Sequence, residues 1–428
     1  MTARLNRTGQ TLAIAFAVSL AVAGCSSTST STPASTSSAG AATSAAAPAT
    51  SPAGPAPSAA APSSGGAAQS PSMSAPSSGG AAQSPSMSAP SSGGAAQSPS
   101  MSASMSAPMS PAASGSAAPA GAGCTATKLG YPTITSFKGV KVGFSQSEPD
   151  NASFRAAETK SMRDEATKQG ADLLYANANK DPQKQIADIK DLITKGAKML
   201  IVAPLNSDGL QPAWDAAAAA KVPVVTVDRL VSQTPCKDYL TFIGSNFVKQ
   251  GMRAADAMGE ALAGKGNVAI LLGSSGNGVT TDRTSGFVDE MKAKYSGIKI
   301  SKQQTGDFDR AKGQAVASQL LQADPTITGF YAENDEMGVG AYNAVKASGK
   351  APGKDIKIVS VDGIKDAVSK IVTGEYTAVI QSNPRFGPLA FKALMDFEKG
   401  TPVPAKIIID DGDYLNAAAA KSKLDQAF

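Results

Sequence analysis

Residues 195–229 show the alternation of strand and helix patterns that indicates the fold class. Their sequence is KGAKMLIVAPLNSDGLQPAWDAAAAAKVPVVTVDR. Its apolar run Met199-Leu200-Ile201-Val202 has the continuity of a strand buried on both faces of a parallel sheet. A helix is predicted over about 208–220, and a second apolar run over 222–227 predicts the next strand. Strand, helix and strand in this order form the unit from which parallel α/β sheets are built.

The same alternation extends in both directions from this stretch. Further strands are expected near 140–145, 172–175, 240–243, 268–272, 298–303, 327–331, 356–361, 376–380 and 407–409. Helices are expected near 152–169, 181–196, 246–262, 282–294, 309–322, 335–348, 364–372 and 384–398. Two runs of alternating strands and helices contain more residues than one small hydrophobic core can accommodate. The sequence therefore predicts an α/β protein with two similar doubly wound parallel-sheet lobes within 124–428.

The first 25 residues have the order of a lipoprotein signal. Arg4 and Arg7 form a basic start, and the apolar run over 12–23 is too short to span a bilayer but suits a signal peptide. The run ends Val-Ala-Gly-Cys at 22–25, which resembles the lipobox of bacterial lipoproteins. The resemblance implies a signal peptide over 1–24 and lipidation of Cys25. It further implies anchoring on the outer face of the plasma membrane.

Residues 25–123 are rich in Ser, Ala, Pro and Gly, and the unit APSSGGAAQSPSMS occurs unchanged at 61–74, 75–88 and 89–102. Each unit offers one methionine as its only large apolar group, which cannot offset the conformational entropy of folding. We predict a disordered tether that carries the folded part away from the membrane.

Composition excludes several kinds of chemistry. The chain has no histidine and only three cysteines, so histidine-based hydrolases and four-cysteine zinc sites are ruled out. The formal charge of +5 arises from 39 basic and 34 acidic residues, a balance that does not favour nucleic acid. We expect no cofactor and no metal. The two cysteines that lipidation leaves, Cys124 and Cys236, predict a disulfide in an extracytoplasmic protein.

Polar side chains recur where predicted strands end, the edge at which open α/β sheets bind ligands. Asp228-Arg229, Asn334, Asp362 and Gln381 each follow a strand. Their paired donors or acceptors suit vicinal hydroxyl groups, and Phe154 and Phe308 could cover the apolar side of a sugar ring. The glycine-rich loop 273–278 resembles a phosphate loop, but Val279 stands where its lysine should be.

The chain resembles the periplasmic sugar-binding proteins of ABC importers, in the ribose- and galactofuranose-binding branch of the type 1 fold. The resemblance covers about 138–400 and rests on VGFSQ (142–146), FRAAET (154–159), VTVDR (225–229), DRTSGF (282–287), GDFDR (306–310), ENDEMGVGA (333–341) and VDG (361–363). It implies two lobes with three crossings: the first from 138–245 and 382–409, the second from 246–381 and 410–428. It further implies a set of ligand-binding residues: Phe154, Arg155, Asp228, Arg229, Arg283, Phe308, Asn334, Asp362 and Gln381.

Two departures from the family pattern leave the sugar open. Ala203 replaces an asparagine of ribose-binding relatives, and Phe154 stands where the galactofuranose branch has tryptophan. In the longer loop over 147–153, Asn151 is favoured as a ligand over Glu148.

The resemblance implies a monomeric, non-enzymatic protein that closes over a pentose or hexose and delivers it to ABC permease subunits. A sensor that signals to a membrane receptor is the alternative. A glycosidase using Asp228 and Asp362 is a weaker one, because nothing marks a general acid.

Overall fold

The computed structural model describes residues 123–428. The predicted signal peptide over 1–24, the lipidation of Cys25 and nearly all of the predicted tether lie outside the described residues. Within 123–428, no helix has both the length and the apolar character needed to cross a membrane.

Two six-stranded sheets form the core of the structure. The first has the order β11-β5-β4-β3-β1-β2, with all pairs parallel, and its strands are β1 (Lys141–Gln146), β2 (Asp172–Asn177), β3 (Met199–Val202), β4 (Val224–Val227), β5 (Thr241–Gly244) and β11 (Lys406–Ile408). The second has the order β12-β10-β9-β8-β6-β7, with strands β6 (Gly266–Leu272), β7 (Ile298–Thr305), β8 (Gly329–Ala332), β9 (Lys357–Asp362), β10 (Ala378–Gln381) and β12 (Asp413–Tyr414). Only the short pair between β10 and β12 is antiparallel among the described strands.

Helices connect the strands. They are α1 (Ala126–Leu129), α2 (Ser153–Gln169), α3 (Pro182–Thr194), α4 (Gln211–Ala219), α5 (Phe247–Ala261), α6 (Gly278–Lys294), α7 (Arg310–Ala323), α8 (Asp335–Ala347), α9 (Lys365–Val372), α10 (Gly387–Glu398) and α11 (Ala417–Ser422). The predicted alternation and fold class are confirmed. The short elements α1, β12 and α11 were not predicted, because each has six residues or fewer and is too short to show an apolar repeat.

Local sequence explains the element boundaries. The four residues of β3 are all buried, as the apolar run predicts. At the start of α3, the side chain of Asp181 accepts hydrogen bonds from the amides of Gln183 (2.8 Å) and Lys184 (3.1 Å), and Pro182 follows at the first helical position. Trp214 on α4 is fully buried in the apolar core beneath the first sheet.

The chain passes between the two sheets three times. It leaves β5 of the first sheet for α5, which packs on β9 and β10 of the second sheet. It returns from β10 to α10, which packs on α2, and passes from β11 of the first sheet to β12 of the second. We call the unit around the first sheet the first lobe and the unit around the second sheet the second lobe. Cys124 and Cys236, both attached to the first lobe, are joined by the expected disulfide.

Helices α5 and α6 approach closely through two glycines. A Cβ atom at Gly286 would lie 2.1 Å from the carbonyl oxygen of Val248, and one at Gly251 would lie 2.2 Å from that of Arg283. This approach lets Arg283 on α6 donate from Nε to Oε1 of Gln250 on α5, at 2.9 Å. The packing of these helices therefore places Arg283 near the carboxyl ends of the strands of the second sheet.

Gly286→Ala is expected to lower the free energy of unfolding by about 1–3 kcal/mol, because the added methyl group meets backbone that cannot move without separating α5 from α6. Urea unfolding followed by circular dichroism measures the loss. Ser285→Ala, at an exposed neighbouring position of the same helix, is the control and should change stability little. Equal stability of Gly286→Ala and the wild type would contradict the close approach.

Candidate functional site

The carboxyl ends of strands from both sheets face each other across a cleft. The cleft contains about 440 Å³ of space not filled by protein atoms, part of which is open to solvent. Side chains from both lobes line it: Glu148, Ala152, Phe154, Arg155, Asp228 and Arg229 from the first, and Val279, Arg283, Phe308, Asn334, Glu336 and Asp362 from the second.

Arg155, at the start of α2, organises the wall formed by the first lobe. Its Nε lies 3.0 Å from Glu148, its Nη1 lies 2.7 Å from Glu158, and its Nη2 lies 2.8 Å from Asp228. All four side chains are buried. One planar guanidinium therefore fixes three carboxylates that come from the β1 loop, from α2 and from the end of β4.

Arg229 completes this network. Its Nη2 donates to Oε1 of Glu148 at 3.0 Å, and its Nη1 donates to the carbonyl oxygen of Leu205 at 2.9 Å. Glu148 is thus held between two guanidinium groups. Burial alone would raise the pKa of Glu148, but Arg229 and Arg155 together hold it well below its usual value. Glu148 is therefore a carboxylate at neutral pH.

Glu158 behaves differently although it contacts the same arginine. Burial, reinforced by the nearby charge of Asp228, raises its pKa to about 7 against the opposing effect of Arg155. Glu158 lies behind the cavity, where Gln146 also donates to its Oε2 at 3.0 Å.

The wall formed by the second lobe has fewer internal pairs. Nη2 of Arg283 lies 3.7 Å from Oδ1 of Asp362, which is beyond hydrogen-bond distance. Burial raises the pKa of Asp362 well above its usual value, and the charge of Arg283 only partly opposes this. Asn334 caps α8 by accepting from the amide of Met337 at 3.0 Å, and it also lines the cavity. The capping and ligand-facing interpretations of Asn334 are therefore compatible.

Two phenylalanines lie at the cavity, one from each lobe. The Arg155 guanidinium lies 5.1 Å from the centroid of Phe154, and that of Arg229 lies 5.9 Å from the centroid of Phe308. A Cβ atom at position 273 would lie 2.0 Å from the ring of Phe308, so Gly273 provides the space in which this ring packs. The glycine-rich loop over 273–278 therefore supports an aromatic side chain.

Three cavity residues have left-handed backbone conformations. The φ angles are 65° at Asp228, 56° at Phe308 and 141° at Asp362. Such conformations are unfavourable for residues with a Cβ, and they persist where surrounding contacts hold them. Each of these turns points a side chain from the end of a strand into the cleft.

The structure brings eight of the ten predicted ligand residues to one cavity: Phe154, Arg155, Asp228, Arg229, Arg283, Phe308, Asn334 and Asp362. It does not bring Asn151 or Gln381 there. Asn151 is exposed in the turn before α2, and Glu148 lines the cavity instead. The amide oxygen of Gln381 accepts from the amide of Gly412 at 2.9 Å, so this side chain joins two of the crossing segments.

Sequence reasoning did not identify Ala152, Val279 and Glu336 as cavity residues, and it ranked Glu148 below Asn151. Glu148 follows β1 by two residues, which is the same strand-end signal that identified the others, but the longer loop obscured which position faces the cleft. Glu336 lies two residues after Asn334 on the first turn of α8. No polar signal could mark Ala152 or Val279.

The lobes touch each other along the edge of the cleft. The backbone amide of Ser153 in the first lobe donates to Glu336 in the second at 3.3 Å, and the amide of Gly278 donates to the hydroxyl of Ser207 at 3.0 Å. The ring of Phe428 packs edge-on against Phe154, with centroids 5.9 Å apart. The structure is therefore a closed form.

A family model described as a periplasmic binding protein domain matches residues 142–402. The chain belongs to the periplasmic binding protein family. The galactofuranose-binding protein YtfQ of Escherichia coli K12 is 32% identical over 289 residues, covering 67% of this chain and 90% of the relative. The ribose import binding protein RbsB of Bacillus subtilis is 35% identical over 267 residues, covering 62% and 84%.

A solved structure gives the same assignment. The binding component of the arabinose ABC transporter from Shewanella sp. ANA-3, bound to α- and β-L-arabinofuranose, superposes with a TM-score of 0.64 at 32% identity, covering 67% of this chain and 95% of that one. These relatives are binding proteins, and the prediction that this periplasmic binding protein is not an enzyme is confirmed.

Buried carboxyl groups predict an unusual dependence of stability on pH. Burial raises the pKa values of Glu158, Glu333 and Asp335 to about 7, from ordinary values of 4.5, 4.5 and 3.8. The folded protein therefore retains protons that the unfolded chain has released, so its free energy of unfolding should fall as the pH rises from about 5 to 7. We expect a loss of at least ~1 kcal/mol over this window.

Urea titrations at pH 5, 6, 7 and 8 measure this dependence. The chain contains no histidine, so no imidazole competes in the same window. Glu333→Gln removes one of the three groups and should flatten the slope. A free energy of unfolding that rises from pH 5 to 7 would show that these carboxyl groups are not protonated in the folded state.

Proposed function

We propose that this protein is an extracytoplasmic solute-binding lipoprotein that closes over a monosaccharide and delivers it to an ABC importer. The observation that carries the proposal is the division of the cavity between two walls. The first presents Asp228 and Arg229, and the second presents Arg283, Asn334 and Asp362. Each is a planar group with paired donors or acceptors, the geometry that matches neighbouring hydroxyls.

The balance of polar and apolar groups supports a sugar over other small molecules. Phe154 and Phe308 offer apolar surface for the C–H groups of a ring. The cavity contains arginines and carboxylates in near balance, and the arginines of the first wall are already paired with carboxylates. A neutral ligand with many hydroxyls fits this arrangement better than an anion, which would compete with those carboxylates.

The relatives favour the same class of ligand. The names of the two relatives above refer to galactofuranose and ribose, and the solved structure contains L-arabinofuranose. Their import and transporter names support delivery to an ABC permease as the role of this chain.

A thermal-shift screen tests the ligand class. D-ribose, L-arabinose, D-galactose, D-fructose and xylitol are added at millimolar concentration, and at least one pentose or hexose should raise the melting temperature by mass action. No shift with any sugar, followed by no heat in calorimetry, would reject the proposal.

Single substitutions test the two walls. Asp228→Ala and Asn334→Ala are each expected to weaken binding of the identified sugar by about 2–4 kcal/mol, because each leaves buried polar groups on the ligand or protein unpaired. Calorimetry measures the affinities. Asp215→Ala, at an exposed position on α4, is the matched control and should bind normally. An effect confined to one lobe would contradict a ligand held by both.

We also propose lipidation at Cys25 and a location on the outer face of the plasma membrane. The support is the basic start, the short apolar run and the Val-Ala-Gly-Cys tetrad at 22–25, in that order. The low-complexity segment that follows would then carry the binding lobes away from the membrane surface.

Cys25→Ala is expected to move the protein from the membrane fraction to the soluble fraction of cells that express the full chain, because the thiol that carries the lipid is lost. Immunoblotting of fractions measures the change. Ser26→Ala, at the next position, is the control and should remain with membranes. Membrane association of the Cys25→Ala variant equal to that of the wild type would refute lipidation at this residue.

A further inference from the structure

The tripeptide Glu333-Asn334-Asp335 follows β8, which lies between β9 and β6 in the second sheet. Asn334 lines the cavity, whereas Glu333 and Asp335 are fully buried beside it. We propose that Glu333 and Asp335 are positioning residues that hold the loops after the two neighbouring strands and thereby set the geometry of the binding site. The role in sugar binding rests on the proposed function.

Asp335 holds the loop after β9. Its Oδ2 accepts from the backbone amides of Gly363 at 2.7 Å and Ile364 at 2.8 Å, and its Oδ1 accepts from the hydroxyl of Ser360. The two amides directly follow Asp362, the cavity carboxylate of this wall. One buried carboxyl group therefore accepts the hydrogen bonds of both amides in the turn from which Asp362 projects.

This turn needs an external restraint. The φ angle is 141° at Asp362 and 113° at Gly363, so two successive residues lie in a region that disfavours side chains. Without the Asp335 side chain, the turn keeps only the hydrogen bonds that the carbonyl oxygens of Asp362 and Gly363 accept from the amides of Ser382 (2.8 Å) and Phe428 (3.2 Å). We expect Asp362 then to relax to a negative φ, because this would relieve the strain. Relaxation would rotate the Asp362 carboxylate away from its present place near Arg283.

Glu333 holds the loop after β6 on the other side. Its Oε2 accepts from the backbone amide of Gly273 at 2.7 Å, and its Oε1 accepts from the hydroxyl of Thr284. Gly273 is the residue against which the ring of Phe308 packs. The carbonyl oxygen of Glu333 also accepts from Nη1 of Arg283. Glu333 thus holds Gly273, against which the ring of Phe308 packs, and Thr284, which follows Arg283 on α6.

Hydrogen–deuterium exchange and sugar affinity together test the role of Asp335. In Asp335→Ala without sugar, the amides of Gly363 and Ile364 should lose protection, since their acceptor is gone. Calorimetry with D-ribose, L-arabinose and D-galactose should show about tenfold weaker binding of whichever of them the wild type binds. In the Asp362→Ala background the same substitution should have little further effect on affinity, because it acts through Asp362.

Two variants separate positioning from general destabilisation. Tyr376→Phe removes a buried hydrogen bond of 2.7 Å to Ser360 but leaves the acceptor of the turn in place. It should lower stability while exchange at Gly363 and Ile364 and the affinity stay unchanged. Asp335→Asn keeps one oxygen that can accept from both amides, so it should restore their protection and most of the affinity.

Glu333→Ala gives a second, independent measurement if Asp335→Ala does not fold. It should raise exchange at the Gly273 amide and weaken sugar binding, whereas Glu333→Gln retains an acceptor for this amide and should behave like the wild type.

Unchanged exchange at Gly363 and Ile364 in Asp335→Ala, or effects of Asp335→Ala and Asp362→Ala on affinity that simply add, would overturn the assignment for Asp335. If the exchange results are as expected but the wild type binds none of the sugars in the thermal-shift screen, Asp335 still holds the turn after β9 and the proposed ligand class fails. The two conclusions are therefore tested separately.

Discussion

The pairing of the Arg155 guanidinium with three buried carboxylates is the interaction on which the cleft depends. Burying an unpaired charge costs several kcal/mol, so a closed cavity with this many ionisable groups requires each charge to find a partner. Arg155 meets Glu148, Glu158 and Asp228, and Arg229 shares Glu148 from the other side. These pairs join segments from three different parts of the first lobe. The first wall is therefore held together by contacts among the protein's own side chains.

The wall of the second lobe follows a different principle. Buried carboxyl groups hold its backbone turns, and its ion pair between Glu336 and Arg310 (2.6 Å) lies at the side of the cavity. The first wall is joined by ion pairs between its lining side chains, whereas Asp362 of the second wall stands 3.7 Å from Arg283, beyond hydrogen-bond distance. The three crossings are where the two lobes could rotate as rigid bodies relative to each other. A ligand that contacts both walls favours the closed form.

Much of the fold could be predicted from the sequence, because long apolar runs and helix caps act locally. The β3 run at 199–202 and the start of α3 at Asp181-Pro182 were located to the residue. Strand ends also predicted four of the cavity residues, Asp228, Arg229, Asn334 and Asp362, since parallel strands bring their carboxyl ends to one edge. Arg155 and Arg283 were expected only from the family resemblance. Asn151 was preferred to Glu148 as a ligand, but Glu148 is the residue that lines the cavity, because the register of a loop depends on the partners it finds in three dimensions, here Arg155 and Arg229. Gln381 is not among the residues that line the cavity for a related reason: its amide oxygen accepts from Gly412 in another crossing, a contact that no local pattern encodes.

The difference between the two walls indicates where a ligand would form the most new hydrogen bonds. In the first wall, Asp228 already accepts from Arg155 at 2.8 Å, so a hydroxyl that approaches it adds to an existing pair. In the second, Arg283 and Asp362 stand 3.7 Å apart, and burial has raised the pKa of Asp362 well above its usual value. Ligand hydroxyls that reach both groups would replace the hydrogen bonds that these groups make to water when the cleft is open. Leaving such buried groups without a partner costs free energy. On the proposed function, the first wall would offer a ligand groups already held by ion pairs, and Asp362 of the second wall would gain hydrogen bonds that it lacks in the present structure.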